Sequence, residues 1–456
     1  MLLMINRKHT IKYFLLFLKL FAVVRFWFKQ RGLPKSSFFR LCFSVSIILF
    51  AFTLLFSNVI IAQNDYKIIR LIQKHQPLKG GKIPKDIRQK LGATHVAGKY
   101  YFSNKPYLIE GADKLIELGY GIGKFWFRKD PGTGYYYNSD WKLPKELSLA
   151  ELANHPYWRE VFQKPFSTIA LSVDGAGAKT TNTSAKLEEE EMYQLAKTLL
   201  ERYRDREVTF ILHNWEGDWV MRGGTGDNAR WSRKAGELFK AVDGDRYTVL
   251  VPSDSTERIN AMALWFNARQ RGVDRARMEV KDSKCQVFHA IEVNKVLDSQ
   301  NGIPGIVNSV LPLVKTDMVS WSCYDGMDST GLALYKGIQY IKKYLQPTDY
   351  MRGQKIVFLG EIGIPEQRYE GLMTKQSVID KWDIYIGVCL ALKVPYIMQW
   401  ELFCNEPKNE ALRKLTDTRL TDEMRGFWLI RPDGTKSFAG AYFEQLLNNA
   451  GRRLKK

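Results

Sequence analysis

The sequence predicts an α/β fold, a (β/α)8 barrel with long loops at its C-terminal face, preceded by an N-terminal membrane-targeting segment. Three observations carry that expectation. Eight short β-rich apolar runs alternate with amphipathic stretches, as in βα units around a parallel sheet. The runs end in aromatic and hydrogen-bonding residues, where this fold keeps its reactive groups. And 456 residues, 45% hydrophobic and 13% aromatic, can fill a large core.

The runs are Thr94–Phe102, Ile122–Phe127, Ser167–Val173, Val208–His213, Gln286–Ile291, Met318–Cys323, Lys355–Leu359 and Tyr396–Trp400. Helices are expected over Leu108–Leu118, Leu187–Tyr203, Asn228–Ala241, Thr256–Gln270, Ile303–Lys315, Leu332–Leu345 and Lys375–Leu392, each with one apolar face. Asp130–Pro156, rich in Tyr, Trp, Gly and Pro, and Asp174–Ser184, rich in Gly, Ala and Thr, read as loops at the mouth. There is no Gly-rich GxGxxG turn after the first run, so a dinucleotide-binding sheet is not indicated.

Residues 1–62 form a separate region. Arg7, Lys8, Lys12, Lys19, Arg25, Lys29, Arg31, Lys35 and Arg40 precede any acidic residue, and the uncharged stretch Leu41–Ala62 follows. At about 1.5 Å per residue that stretch spans a hydrocarbon layer of about 30 Å. It reads as a secretory signal cut after Ala62, before Gln63 and Asn64; an uncleaved anchor through residues 41–62 is the alternative. Either way the rest of the chain is expected outside the cytoplasm, whether secreted, periplasmic or membrane-anchored. Tyr13–Phe28, interrupted by Lys19 and Arg25, reads as an extended basic n-region. The expected organisation is therefore 1–62 targeting segment, 63–92 lead-in, 93–449 barrel and 450–456 basic tail.

The net charge of +20 includes the nine cations of the first region, leaving about +11 for the remainder. No nucleic-acid partner is indicated; an acidic polysaccharide or anionic surface is compatible, and so is a merely basic soluble surface. Cys42 lies in the apolar stretch, and Cys285, Cys323, Cys389 and Cys404 show no CxxC spacing. They read as buried thiols, and His95 stands without the further histidines a barrel metallohydrolase needs, so no cofactor or metal is expected.

The fourth run continues His213-Asn214-Trp215-Glu216-Gly217-Asp218-Trp219, and the seventh continues Gly360-Glu361-Ile362-Gly363-Ile364-Pro365-Glu366. Each puts a carboxylate where a strand opens into its loop, and the glycines beside Glu361 allow close approach. The sixth run ends Ser320-Trp321-Ser322-Cys323-Tyr324-Asp325; the eighth ends Gln399-Trp400-Glu401, with Asn405 and Glu406 beyond. The chain closes with Gly426-Phe-Trp-Leu-Ile-Arg431-Pro432-Asp433-Gly434-Thr435 and Ala441-Tyr442.

This set resembles the large clan of retaining glycoside hydrolases built on (β/α)8 barrels, of the cellulase and β-glycosidase type, over residues 93–449. The resemblance implies cleavage of an O-glycosidic bond in a poly- or oligosaccharide by double displacement. Glu361 would be the nucleophile and Glu216 the acid/base. Tyr324 would hydrogen-bond the nucleophile, Trp400 would floor the site, and Asn214 would address a sugar hydroxyl. In the clan the Asn and the acid/base Glu are adjacent, whereas Trp215 intervenes here, so either the strand end bulges or Asn214 has another role.

Trp215, Trp219 and Trp126 are further candidates for stacking on sugar, Trp126 being equally a core residue. His289, like His213, either reaches substrate or is hydrogen-bonded within the barrel. Asp218 competes with Glu216 as acid, while Glu366, Glu401 and Glu406 read as loop carboxylates. A barrel that binds carbohydrate without turnover, or a transglycosylase, are the alternative functions. Two carboxyl groups about 5 to 5.5 Å apart would give retention.

Overall fold

The computed structural model describes residues 62–144, 146–173, 182–225, 229–231, 241–242, 246–247, 252–368, 371–409 and 421–454. The chain divides into two units, Met1–Ile68 and Ile69–Lys456. Of the first, residues 62–68 are described and are helical. The expected signal or anchor over residues 1–62 lies almost wholly outside the described residues. Among those described, no helix is long and apolar enough to cross a membrane.

The second unit is built on a closed barrel of eight strands: β1 (Leu91–His95), β2 (Ile122–Phe127), β3 (Thr168–Val173), β4 (Thr209–His213), β5 (Gln286–Val293), β6 (Met318–Ser322), β7 (Ile356–Ile362) and β8 (Ile397–Gln399). Each strand pairs in parallel with the next in sequence, and β8 returns to β1 through Leu91 opposite Ile397. The strands are buried nearly end to end, because the barrel interior covers one face and the helices the other. The (β/α)8 expectation is met.

The intervening helices include Tyr107–Glu117, Asn182–Arg202, Ser255–Glu279, Leu332–Tyr344, Lys375–Ala391 and Phe438–Asn448. Local chemistry fixes several starts. Ser148 and Glu151 form a capping box on Leu149–Ala153. Thr374 accepts from the Ser377 N–H, and Ser437 from that of Gly440. The lead-in and the tail meet beneath the barrel, where Ile83 N–H donates to Arg452 O at 2.9 Å and Gly451 N–H to Ile83 O at 3.1 Å.

Several boundaries differ from the sequence reading, three of them widely. The first strand is Leu91–His95 rather than Thr94–Phe102: Leu-Gly-Ala-Thr-His has little β-propensity, whereas the aromatic stretch after it packs as a loop around Phe403. Ile303–Lys315 is not one α-helix but a π-turn over Ile306–Val310 and a 3-10 turn over Leu311–Leu313, since Gly305 and Pro312 interrupt it. The Thr256–Gln270 helix extends to Glu279. Most of the Asn228–Ala241 helix and of the Asp174–Ser184 loop lies outside the described residues.

Candidate active site

Glu216 and Glu361 leave adjacent regions of the C-terminal mouth, and β6 joins them. Ser322, the last residue of β6, donates its hydroxyl to Glu216 Oε1 at 2.7 Å. In the β6–β7 ladder the Cα partner of Ser322 is Glu361 itself. Neighbouring strands lie about 4.8 Å apart, so one serine brings the two carboxylates to the same patch of the mouth. Glu361 is buried, and Glu216 is mostly buried.

Beneath them lies a lysine that the sequence reading did not assign. Lys124, midway along β2, is 1% exposed and points into the barrel. Its ammonium is 3.3 Å from Glu361 Oε2, 3.3 Å from Glu292 Oε2 and 2.9 Å from Gly360 O. Glu292, on β5, accepts the Ser320 hydroxyl at 2.8 Å and the Glu216 backbone N–H at 3.3 Å. One buried carboxylate thus touches the counter-ion of Glu361 and the backbone of Glu216. Gly360 makes room for this: a Cβ there would stand 1.8 Å from Ser320 Oγ and 2.6 Å from Glu292 Oε2.

Glu216 has φ +24°, in the left-handed region that non-glycine residues rarely adopt. The β3–β4 register is regular through Ser172 opposite His213, so the extra residue Trp215 is absorbed after the strand by this turn rather than by a bulge within it. The six-residue helix Gly217–Arg222 follows directly.

The charges are interdependent. Burial is the largest influence on Glu292 and pushes it up, but the Lys124 ammonium, His213, the Ser320 hydroxyl and the Glu216 N–H together hold the carboxyl below its ordinary range. Burial, the largest cause at both sites, lifts Glu216 to about 7 and Glu361 to about 8; the Glu292 charge raises both, and that of Glu216 raises Glu361. Contacts decide where a single remaining charge rests: an ammonium faces Glu361, whereas one hydroxyl faces Glu216.

The other candidates separate into those at the mouth and those spent on structure. Trp400 is 7% exposed and donates Nε1–H to Glu406 Oε1 at 3.1 Å; its ring lies 6.5 Å from that of Trp126. Tyr324 is 37% exposed, and its phenol stands among Glu361, Glu406 and Glu216; desolvation of the hydroxyl first, then those charges, keep it protonated. Trp215 and Trp219 are half-buried beside Glu216.

Asn214 is elsewhere engaged. Its Oδ1 accepts the Glu292 N–H at 2.9 Å and its Nδ2 donates to Glu292 O at 3.1 Å, clipping β4 to β5. His289 is fully buried on the outer face of β5, with Nδ1 3.1 Å from Gln270 Oε1 on the helix Ser255–Glu279. His213 is also fully buried, 2.7 Å from Asn214 O, and burial pushes it down to about 4.

Asp218, the competitor of Glu216, has both oxygens occupied by backbone N–H groups of Asn294 (2.9 Å), Lys295 (3.1 Å) and Ile306 (2.8 Å). Glu366 accepts Trp428 Nε1–H at 2.8 Å, Arg431 Nε–H at 3.1 Å and the Phe438 N–H, pinning the closing segment to the barrel. Glu401 accepts the Asn405 N–H at 2.8 Å. Cys285, Cys323, Cys389 and Cys404 are free and buried. Among the described residues no cluster of three or more His, Cys, Asp or Glu is arranged to hold a metal ion.

No family model and no curated protein sequence matches this chain. Solved structures do. A broad-specificity GH5-4 endoglucanase from Bacteroides salanitronis matches with 12% identity over 81% of this chain and 95% of that one, TM-score 0.42. A modular endo-β-1,4-mannanase of glycoside hydrolase family 26 from Cellulomonas fimi matches with 12% identity over 76% of this chain and 73% of that one, TM-score 0.40. A β-glucuronidase from Bacteroides uniformis matches with 11% identity over 77% of this chain and 34% of that one, TM-score 0.39. This chain therefore spans about a third of the glucuronidase's length. At such identities the likeness concerns fold alone, and the fold already stands on its strand pairings.

Proposed function

We propose that this chain is an exported glycoside hydrolase that cleaves an O-glycosidic bond in a poly- or oligosaccharide with retention of configuration. The observation that carries the reading is Ser322, hydrogen-bonded to Glu216 and paired in register with Glu361, which gathers two carboxylates from the ends of β4 and β7. Export rests on the basic, apolar character of residues 1–62.

Glu361 is the nucleophile. The Lys124 ammonium favours its charged form, and the protonated Glu216 donates to the leaving oxygen as the anomeric carbon is attacked. The C–O bond to the leaving group breaks, a glycosyl ester forms on Glu361, and the proton of Glu216 departs with the aglycone. Glu216, now ionised, takes a proton from water, which attacks the ester and restores both carboxyls. Retention requires a separation of about 5 to 5.5 Å between the carboxyl groups. Trp400, walled by Trp126, offers an apolar face to the sugar.

A panel of aryl glycosides and polysaccharides, followed by product anomers in NMR, tests this. Turnover with retained configuration is expected, lost in Glu361→Gln and restored by azide in Glu216→Ala. Undiminished turnover in Glu361→Gln would remove that residue from the nucleophile role.

A further inference from the structure

Two of the indoles at the mouth do not offer both faces to a sugar. The Lys295 ammonium lies 4.2 Å from the ring centroid of Trp219, and the Arg128 guanidinium 4.1 Å from that of Trp126. Each cation sits at the C-terminal end of the barrel: Arg128 directly follows β2, and Lys295 follows β5 by two residues. The cleft holding Glu216 and Glu361 is therefore flanked by positive charge laid on aromatic surface.

Lys295 is held at its base and has an unclaimed head. Its backbone N–H is fixed by Asp218 at 3.1 Å, and that of Asn294 by the same carboxylate at 2.9 Å. Its ammonium forms no ion pair with any described carboxylate, and its most intimate partner is the indole face. A cation over an aromatic ring gains only about 0.5 to 2 kcal/mol and keeps its three donors. The charge is felt at the site, since it favours the ionised forms of both Glu216 and Asp325. Beyond the first 62 residues the chain carries about +11, which draws an anionic polymer towards it.

We propose that the cleft takes an acidic glycan, one sugar of which carries a carboxylate or sulfate that pairs with the Lys295 ammonium above Trp219. This rests on the glycoside hydrolase reading and adds a substrate class to it. A neutral sugar stacking on that face of Trp219 must displace the ammonium, whereas an anionic group meets it in a charge-assisted hydrogen bond. Uronates and sulfate esters share this chemistry.

The test is calorimetric titration of the full chain carrying Glu361→Gln with three probes of equal length: an oligogalacturonide, a sulfated carrageenan oligosaccharide and a neutral cello-oligosaccharide. At least one acidic probe is expected to bind ten-fold or more tighter than the neutral one, and to weaken with added salt. Which acidic probe wins identifies the anionic group. Adding Lys295→Met should cut the ratio of acidic to neutral affinity at least ten-fold, and Lys295→Arg should preserve it. Neutral binding equal to or tighter than acidic binding, or a ratio unmoved by Lys295→Met, overturns the proposal and leaves the hydrolase reading intact. Binding of none of the probes, with no turnover of any glycan by the parent chain, overturns both.

Discussion

The ammonium of Lys124 stands 3.3 Å from Glu361 Oε2 in a part of the barrel closed to solvent, and it is shared with Glu292 at the same distance. Lys124→Met should remove the cation that favours ionised Glu361. The Glu361 pKa then rises, and the acid limb of the kcat/KM profile moves to higher pH, with kcat at neutral pH down by roughly 100-fold. Glu292 is left buried without its counter-ion, so the variant should also unfold about 3 to 5 kcal/mol more easily. A pH profile beside a denaturant melt checks both effects. An unmoved acid limb would detach Lys124 from the nucleophile.

Ser322→Ala separates the two carboxyls. The hydroxyl favours the charged form of Glu216, so its loss should raise that pKa and move the basic limb of the pH profile upward. The folding cost should be small, about 1 kcal/mol. A shift of the acid limb instead would reassign which carboxyl Ser322 governs.

Stability should report the same burial. Glu216 is raised from 4.5 to about 7, so the folded chain binds its proton more tightly than the unfolded one. The stability associated with that proton is fully present below about pH 4.5 and is lost as pH rises towards 7. Glu216→Gln, which never ionises, should match the parent near pH 4 and exceed it by about 1 to 2 kcal/mol at pH 8, the figure reduced because the residue opens to solvent. Thermal melts at the two pH values decide it.

Asp218→Ala should behave unlike any change at Glu216. It strands the N–H groups of Asn294, Lys295 and Ile306, and the expected cost is roughly 2 to 4 kcal/mol of stability. Azide should not rescue its activity, in contrast to Glu216→Ala.

Much of the frame was legible because barrel strands announce themselves as short apolar runs; Ile122–Phe127 was placed to the residue. Glu361 was legible because a carboxylate in Leu-Gly-Glu-Ile-Gly has no local reason to be there. Lys124 was not. In Ile-Gly-Lys-Phe-Trp-Phe a lysine reads as an outward-facing residue, and its partners lie 168 and 237 residues away. The strand Leu91–His95 was obscured because closure by β2 and β8, rather than its own weak propensity, makes it a strand. Asn214 reads as a sugar ligand, and His289 as either a ligand or a buried histidine, because their positions near strand ends are visible in sequence, whereas the backbone of Glu292 and the side chain of Gln270 that occupy them are not.

Asn214 ties the loop after β4 to β5 itself, Asp218 ties it to the loop after β5, and Arg222 adds Asp298 at 2.7 Å and Pro304 O at 3.1 Å. Two stretches separated by some 76 positions are therefore one mechanical part, and they must be inherited as one. A chimera that exchanges either loop alone would orphan its partner's backbone groups and release the turn at Glu216. Crossovers outside residues 213–306 would carry the whole part intact, so the unit of recombination here is larger than a single βα loop.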